Sequence, residues 1–387
     1  MKVLITTDLL ITSTNGVATS VRNLWEGLRK RGHTVRILTV SDRADSYKDD
    51  SVYYIKSVPI GFIYPDMRMP ISYRNLFIDE LIEWKPDIIH SQCEFFSFQF
   101  AKYISRLTDA PIVHTYHTLY EEYATYVIPS KFIGKYVVKK WSRICLKYVN
   151  RIIVPSSKVE NTLRGYGVKN TISVVPSGIS LEQHSYRMNE KERREKRQIL
   201  EIPEDYHVLL SLGRIGKEKN LGELLNYFAD ALLKNQKLTF LIVGDGPDKR
   251  NMEILTSNLG IEAHVIFIGM VEPLQVQEYY QLADVFVSAS ISETQGLTYI
   301  EAAANGLPLL CRKDDCLEDI IKDGVNGYVY TSSEEFLNKL KIIMENSEWR
   351  LSAGKHSQEI AEAFNQSHFA DVVETIYEST REELTET

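Results

Sequence analysis

Short apolar runs alternate with helix-length amphipathic segments along most of the chain. Residues 3–7, 34–40, 87–90, 112–114, 151–155 and 172–175 read as strands. They are apolar almost without interruption, the signature of strands covered on both faces in a parallel sheet. Between them, 17–31, closed by Gly32, and 75–84, stopped ahead of Pro86, read as helices. Ser177-Gly178-Ile179 reads as a crossing point, after which the charged stretch 189–197 opens a second series with strands at 207–212, 238–243, 265–268, 285–288 and 308–311. The pattern predicts an α/β protein with two doubly wound, Rossmann-like parallel-sheet domains. The first is 1–178 and the second 179–364, with a cleft between the ends of their strands. A C-terminal helix at about 365–387 crosses back over the first domain. No residue-level repeat or low-complexity segment is visible.

Size and composition fit this picture. At 387 residues the chain suits two domains, and 44% hydrophobic with 25% charged residues is the makeup of an ordered globular protein. The formal net charge of −7 conceals an asymmetry: residues 1–178 hold 24 Lys+Arg against 16 Asp+Glu, and the remainder 21 against 36. A basic first half suggests an anionic partner. The four cysteines, Cys93, Cys145, Cys311 and Cys316, lack CxxC or zinc spacing and read as free thiols of a reducing compartment. No apolar run approaches the ~20 residues of a membrane-spanning helix. The expected state is soluble or resting on a membrane surface.

The most informative segment is Ser292-Glu293-Thr294-Gln295-Gly296-Leu297-Thr298-Tyr299-Ile300-Glu301-Ala302, at a strand-to-helix crossover. Backbone N–H groups at Gly296 to Thr298 suit a phosphate at a helix N-terminus. Glu301, about one turn on, and Glu293, on the loop, suit hydroxyls. Phosphate and hydroxyls together indicate a sugar nucleotide. A second crossover carries Gly213-Arg214-Ile215-Gly216-Lys217-Glu218-Lys219, where the Arg214 guanidinium and the Lys219 ammonium suit a diphosphate. Gly244-Asp245-Gly246-Pro247 reads equally as a structural turn or as a ligand contact at Gly244. Gly16, at the mouth of the first helix, gives backbone access to a phosphate or an acceptor, and serves equally as a turn glycine. It does not belong to a dinucleotide GxGxxG fingerprint, which argues against a nicotinamide enzyme.

His114-Thr115-Tyr116-His117-Thr118-Leu119-Tyr120-Glu121-Glu122-Tyr123 lies just past a strand end. His117 is the candidate for the cleft, able by type to donate to a sugar hydroxyl or to charge on a leaving group, whereas His114 belongs to the strand. No Asp-x-Asp occurs anywhere, so no metal and no other cofactor is expected; Arg214, Lys219 and a helix N-terminus would neutralise a leaving diphosphate. From Tyr123 to Val159 there is no acidic residue. Lys131, Lys135, Lys139, Lys140, Arg143 and Lys147 recur at helical spacing, with Phe132, Tyr136, Trp141 and Tyr148 between them. This basic, aromatic stripe reads as a binding face for an anionic membrane, against the alternatives of a solvated helix face and of nucleic acid.

Together these residues resemble glycosyltransferase family 4, retaining enzymes of GT-B architecture, over essentially the whole chain. The resemblance rests on Glu293 to Glu301 with the following Ala302-Ala303-Ala304-Asn305-Gly306-Leu307-Pro308, on the Arg214/Lys219 loop, on the Gly-Asp-Gly-Pro turn and on Asp323-Gly324-Val325-Asn326-Gly327. It implies that Arg214 and Lys219 bind diphosphate and that Glu301 binds ribose hydroxyls. It further implies that Glu293 holds the donor sugar with backbone at Gly296 and Leu297, and that His117 lies near the sugar's 6-hydroxyl. Gln295 stands where most of the family has an aromatic residue, and Asn15-Gly16 where a Gly-Gly pair is common. The Glu293 and His117 segments are similar in particular to bacterial diacylglycerol α-glucosyltransferases. That likeness implies transfer of glucose from UDP-glucose to diacylglycerol by an enzyme peripheral to the inner, cytoplasmic face of the cell membrane, without nucleic acid as partner. Same-face substitution with the leaving phosphate as base is the implied mechanism, since no residue reads as a nucleophile. A soluble sugar or polyprenyl-linked glycan as acceptor, and a catalytically silent sugar-nucleotide-binding subunit, remain as alternatives.

Overall fold

The computed structural model describes residues 1–10, 15–60, 68–121 and 130–385. The chain forms two compact units, Met1–Gly178 with Gln366–Thr387, and Ile179–Asn365. Each is built on a parallel sheet with helices packed against it. In the first unit the strand order is Ile172–Val174, Arg151–Val154, Ile112–Thr115, Ile88–Ser91, Lys2–Thr6, Thr34–Val40, Val52–Ile55, Tyr47–Asp49. Only the last of these pairs antiparallel. In the second the order is Val265–Gly269, Leu238–Val243, His207–Leu212, Val285–Ser288, Leu309–Arg312, Gly327–Tyr330, all parallel.

Both sheets start near the middle and grow outward in two directions. The reversal falls between Lys2–Thr6 and Ile88–Ser91 in the first unit, and between His207–Leu212 and Val285–Ser288 in the second. At such a switch point the loops leaving neighbouring strands part to opposite faces and open a crevice at the carboxyl ends. The strands are apolar without alternation because both faces are covered. In Leu238–Val243, Phe240 and Ile242 enter one core cluster while Leu241 and Val243 enter the other.

The strands at Tyr47–Asp49, Val52–Ile55 and Gly327–Tyr330, and the small antiparallel pair Ser57–Pro59 with Arg68–Pro70, were not evident from the pattern. They are short elements whose runs are broken by tyrosine, glycine, proline or charged residues, although Val52–Ile55 is paired on both sides within the sheet.

The C-terminal helix Gln366–Thr385 belongs to the first unit and packs on the helix Gly16–Lys30. Phe369, Val373, Ile376 and Tyr377 share a core with Val21, Leu24 and Leu28. Tyr377 reaches beneath the sheet end, its Oη 2.6 Å from His90 Nδ1, while His90 Nε2 lies 2.7 Å from Thr115 Oγ1. Contact between the two helices depends on Gly27, where a Cβ would stand 2.7 Å from the Ala370 Cβ. Gly27→Leu is therefore expected to destabilise the protein by about 2 kcal/mol, the usual range for overpacking, read as a lower melting temperature. An unchanged melting temperature would show that the helix pair has room to spare.

Candidate active site

Two loops leave the switch point of the second sheet. One follows Leu212 through Gly213, Arg214 and the short helical turn Lys217–Lys219; the other spans 289–296 and enters the helix Leu297–Ala304. Lys219 Nζ on the first donates to Glu293 Oε1 on the second. Ser292 Oγ adds a second tie, donating to the Glu218 carbonyl at 3.2 Å. Arg214 Nη1 lies 3.5 Å from the buried Glu218 carboxylate, so Arg214 is held by a neighbour on its own loop.

Backbone packing fixes the first loop. Gly213 N–H donates to the Val243 carbonyl and Ile215 N–H to that of Asp245, both at 2.9 Å. These bonds continue the strand pairing into the Gly-Asp-Gly-Pro turn. Gly244 has φ +131°, and a Cβ there would stand 2.0 Å from the Gly213 carbonyl oxygen. The close approach of two backbones accounts for this glycine, so its structural reading needs no ligand.

Gly296 governs the second loop. It caps the helix in a left-handed conformation, φ +81°, and a Cβ would stand 2.1 Å from the Tyr299 ring. Only glycine meets both demands. Tyr299 N–H donates to the Gly296 carbonyl at 3.1 Å, while the N–H groups of Leu297 and Thr298 precede the helix's own acceptors, as at any helix start. Gln295 is 5% exposed, so the amide is folded into the loop. Glu301, one turn into the helix, accepts from Tyr280 Oη at 2.8 Å. Burial pushes its carboxyl up to about 7, against the opposing effect of the Tyr280 hydrogen bond.

In the first unit, Gly16 opens the helix Gly16–Lys30, and Asn15 is its N-cap, Oδ1 accepting from Ala18 N–H at 2.9 Å. Capping gives a physical reason for asparagine at this position. Residues 11–14 of this crossover, and Glu122 and Tyr123 of the tyrosine-rich loop, lie outside the described residues. His117 is partly buried, with Nε2 2.7 Å from Gln92 Oε1. Burial, reinforced by His114, pushes its ring down to about 3. A neutral ring that donates through Nε2 leaves Nδ1 as an acceptor, so His117 would accept a hydrogen bond from a hydroxyl rather than donate one. His114 is fully buried in its strand, 3.2 Å from Glu94 Oε1.

Family models match on both halves: "Glycosyltransferase Family 4" over residues 14–183 and "Glycosyl transferases group 1" over 192–360. The chain is 37% identical over 332 residues to alpha-monoglucosyldiacylglycerol synthase of Streptococcus pneumoniae, covering 85% of this chain and 75% of that one. It is 29% identical over 391 residues to the Acholeplasma laidlawii protein of the same name, covering 97% and 96%. The chain belongs to glycosyltransferase family 4. Among solved structures it is similar to the Anabaena protein HepE in complex with UDP and glucose, with a TM-score of 0.77 and 17% identity, covering 98% of this chain and 100% of that one. Sucrose-phosphate synthase from Thermosynechococcus elongatus gives 0.77 and 20%, covering 98% of each chain. These likenesses show that the glycosyltransferase has the GT-B fold.

The basic stripe of the enzyme lies mainly on the helix Lys131–Leu146. Lys135, Lys140, Arg143 and Lys147 are exposed and Lys139 is half-buried, its Nζ donating to the Gly165 carbonyl at 3.1 Å. Of Lys131 only the backbone is described. Phe132, at 90% exposure, and Ile133, Tyr136, Val137 and Ile144 stand outward among the cations. Trp141 differs from these: it is half-buried, stacked on Phe95 at 5.2 Å and edge-on to Tyr120, so its ring packs largely on the core and only part of it is open to the outside. No described helix is long and apolar enough to cross a membrane, and no described group of three or more His, Cys, Asp or Glu could hold a metal ion.

Sequence reading missed Tyr280, Glu218, Asp8, Gln92 and Glu94. The last two follow the strand 87–90 at a crossover like those that carry the other candidates, and that position was the available signal. Tyr280 is brought to Glu301 from a separate helix, which no local pattern reveals.

The raised Glu301 carboxyl has a consequence for stability. Between the unfolded value near 4.5 and about 7, the folded protein holds a proton that the unfolded chain has lost. Stability from this group is thus full at low pH and falls as pH rises through 7. Glu301→Gln is expected to lessen the loss between pH 5 and 8 by up to about 3 kcal/mol, read by urea denaturation at both pH values. Equal pH dependence in the two proteins would refute the assignment.

Proposed function

We propose that this glycosyltransferase moves glucose from UDP-glucose to the free hydroxyl of diacylglycerol on an anionic membrane surface, with retention at the anomeric carbon. The observation that carries the lipid reading is the outer face of the Lys131–Leu146 helix, where aromatic and aliphatic side chains stand exposed among lysines and an arginine. Exposed apolar side chains lose water on entering a bilayer interface, and each cation gains about 1 kcal/mol near anionic headgroups. The names of the Streptococcus and Acholeplasma relatives support the same acceptor and product. HepE crystallised with UDP and glucose, and with UDP-glucose, supports the donor.

In this reading the second unit takes the nucleotide. Leu297 and Thr298 N–H groups meet phosphate, Arg214 and Lys219 neutralise the diphosphate, and Glu301 accepts from the ribose hydroxyls. Glu293 and Gln295, with the Gly296 backbone, position the sugar, and Gly244 and Gly16 give backbone access. His117 accepts from the sugar's 6-hydroxyl. Same-face substitution, in which the departing phosphate takes the acceptor proton, needs no protein nucleophile and no metal. The site would work on the cytoplasmic side of the membrane.

Three experiments test the reading. A panel of UDP-sugars against diacylglycerol and soluble acceptors, scored by product mass, should give α-monoglucosyldiacylglycerol with EDTA present; product only on soluble acceptors would remove the lipid. Replacing Lys140, Arg143 and Lys147 with Gln should weaken sedimentation with anionic vesicles about 100-fold, the ~3 kcal/mol of three cations. Unaltered sedimentation would exclude this helix as the contact. On the donor side, Glu293→Ala should abolish turnover while UDP binding by calorimetry persists, and full turnover in that variant would overturn the site.

A further inference from the structure

The switch point of the first sheet holds a buried polar cluster of which the donor chemistry uses only His117. Asp8 follows the strand Lys2–Thr6, Gln92 and Glu94 follow Ile88–Ser91, and His117 and Tyr120 follow Ile112–Thr115. These three strands are neighbours, in the order Ile112–Thr115, Ile88–Ser91, Lys2–Thr6, so their carboxyl ends bring the residues to one place. An open α/β sheet receives ligands there.

Two carboxylates are sunk in it. Asp8 is 7% exposed and accepts from Ser97 N–H at 2.7 Å and Ser97 Oγ at 3.0 Å. Glu94 is 2% exposed and accepts from Tyr120 Oη, with His114 Nε2 at 3.2 Å from its other oxygen. His114 Nδ1 has no hydrogen-bond partner in its buried setting. The two carboxylates lie close enough for Glu94 to raise the Asp8 carboxyl, although burial is the larger cause of its shift to about 6. Among the described residues neither forms an ion pair with Lys or Arg. The segments 11–14, 61–67 and 122–129 contain no Lys, Arg or His, so they bring no cation either.

A second, independent observation points to a ligand. Gln92 is 2% exposed and its Nε2 has no hydrogen-bond partner, while its Oε1 is engaged with His117. A buried amide donor without a partner carries an uncompensated desolvation cost, and such groups call for an acceptor. A hydroxyl satisfies it: its oxygen accepts from Gln92 Nε2 while its proton remains free to donate. A phosphate could also accept, but would stand in the field of Asp8 and Glu94, where low dielectric strengthens like-charge repulsion.

We propose that Gln92, Asp8 and Glu94 form the acceptor subsite of the enzyme, and that the two buried carboxylates confine it to uncharged alcohols, rejecting acceptors with a phosphate beside the reacting hydroxyl. Gln92 binds the hydroxyl; Asp8 and Glu94 act through their charge. The subsite rests on the reading of the chain as a transferase to a lipid alcohol, and names the class of lipid it takes.

The test compares diacylglycerol with phosphatidylglycerol, which offers glycerol hydroxyls behind a phosphodiester. Both are presented at low mole fraction in nonionic detergent micelles with the same excess of phosphatidic acid, which has no alcohol hydroxyl, so that recruitment to an anionic surface is matched. Wild type should favour diacylglycerol at least 100-fold in kcat/KM. Asp8→Asn with Glu94→Gln should narrow that ratio at least tenfold through a gain on phosphatidylglycerol, which loss of folding could not produce. UDP binding by calorimetry verifies that the variant is intact, and Asp8→Asn alone replaces it if binding is lost. Equal use of both lipids by wild type, or an unchanged ratio in a variant that binds UDP, overturns the proposal. If neither lipid reacts and a neutral sugar does, the lipid reading falls. The same comparison, made with glucose and glucose 6-phosphate, then decides the charge selection.

Discussion

The ion pair between Lys219 and Glu293 is the interaction around which the second unit is organised. It joins the two loops that part at the switch point, one continuing His207–Leu212 and the other continuing Val285–Ser288. Their side chains are 30% and 16% exposed, so the charges are partly shielded from water and each depends on the other for compensation. The pair can form only because both backbones are held. Gly213 and Gly244 pass at a distance that excludes a side chain, and Gly296 turns through a conformation that excludes one. An Ala at Gly244 or Gly296 would act on the pair through the backbone before touching either charge.

The two units handle buried carboxylates in different ways. In the second, Glu293 faces a lysine and Glu218 an arginine, while Glu301 has the Tyr280 hydroxyl. In the first, Asp8 and Glu94 are satisfied by a serine, a tyrosine and a histidine. Hydrogen bonds from neutral donors make burial of a carboxylate tolerable but leave its field uncancelled, whereas a facing cation cancels it. An anionic nucleotide suits the former arrangement of charges, and an alcohol suits the latter. The marked charge asymmetry of the halves runs the opposite way on the surface, where the basic helix of the first unit carries its exposed lysines.

Much of the fold was legible because parallel strands covered on both faces leave continuous apolar runs. The strands at 34–40, 207–212, 238–243 and 285–288 coincide with those observed. The missed strands have mixed composition: Tyr47–Asp49 is polar, Ser57–Pro59 and Arg68–Pro70 end on prolines, and Val52–Ile55 and Gly327–Tyr330 each carry two tyrosines in four residues. On the Lys131–Leu146 helix, spacing alone placed Trp141 with the lysines. Helical spacing recurs on every face, and only packing against Phe95 and Tyr120 decides which side chain turns inward.

What the sequence determined by itself was the class of fold, membership of a sugar-transferring family, and the presence of Glu293, Glu301, Arg214 and Lys219 at strand-to-helix crossovers. Those features are local, carried by runs and spacings of a few residues. Tertiary structure decided which of them meet. Lys219 finds Glu293 across 74 positions and Tyr280 finds Glu301 from another helix. Glu94 and His114 arrive from different strands, and Tyr377 reaches His90 from the far end of the chain. Partners so far apart in sequence leave no period to read, because their proximity is a property of the sheet order and not of either segment.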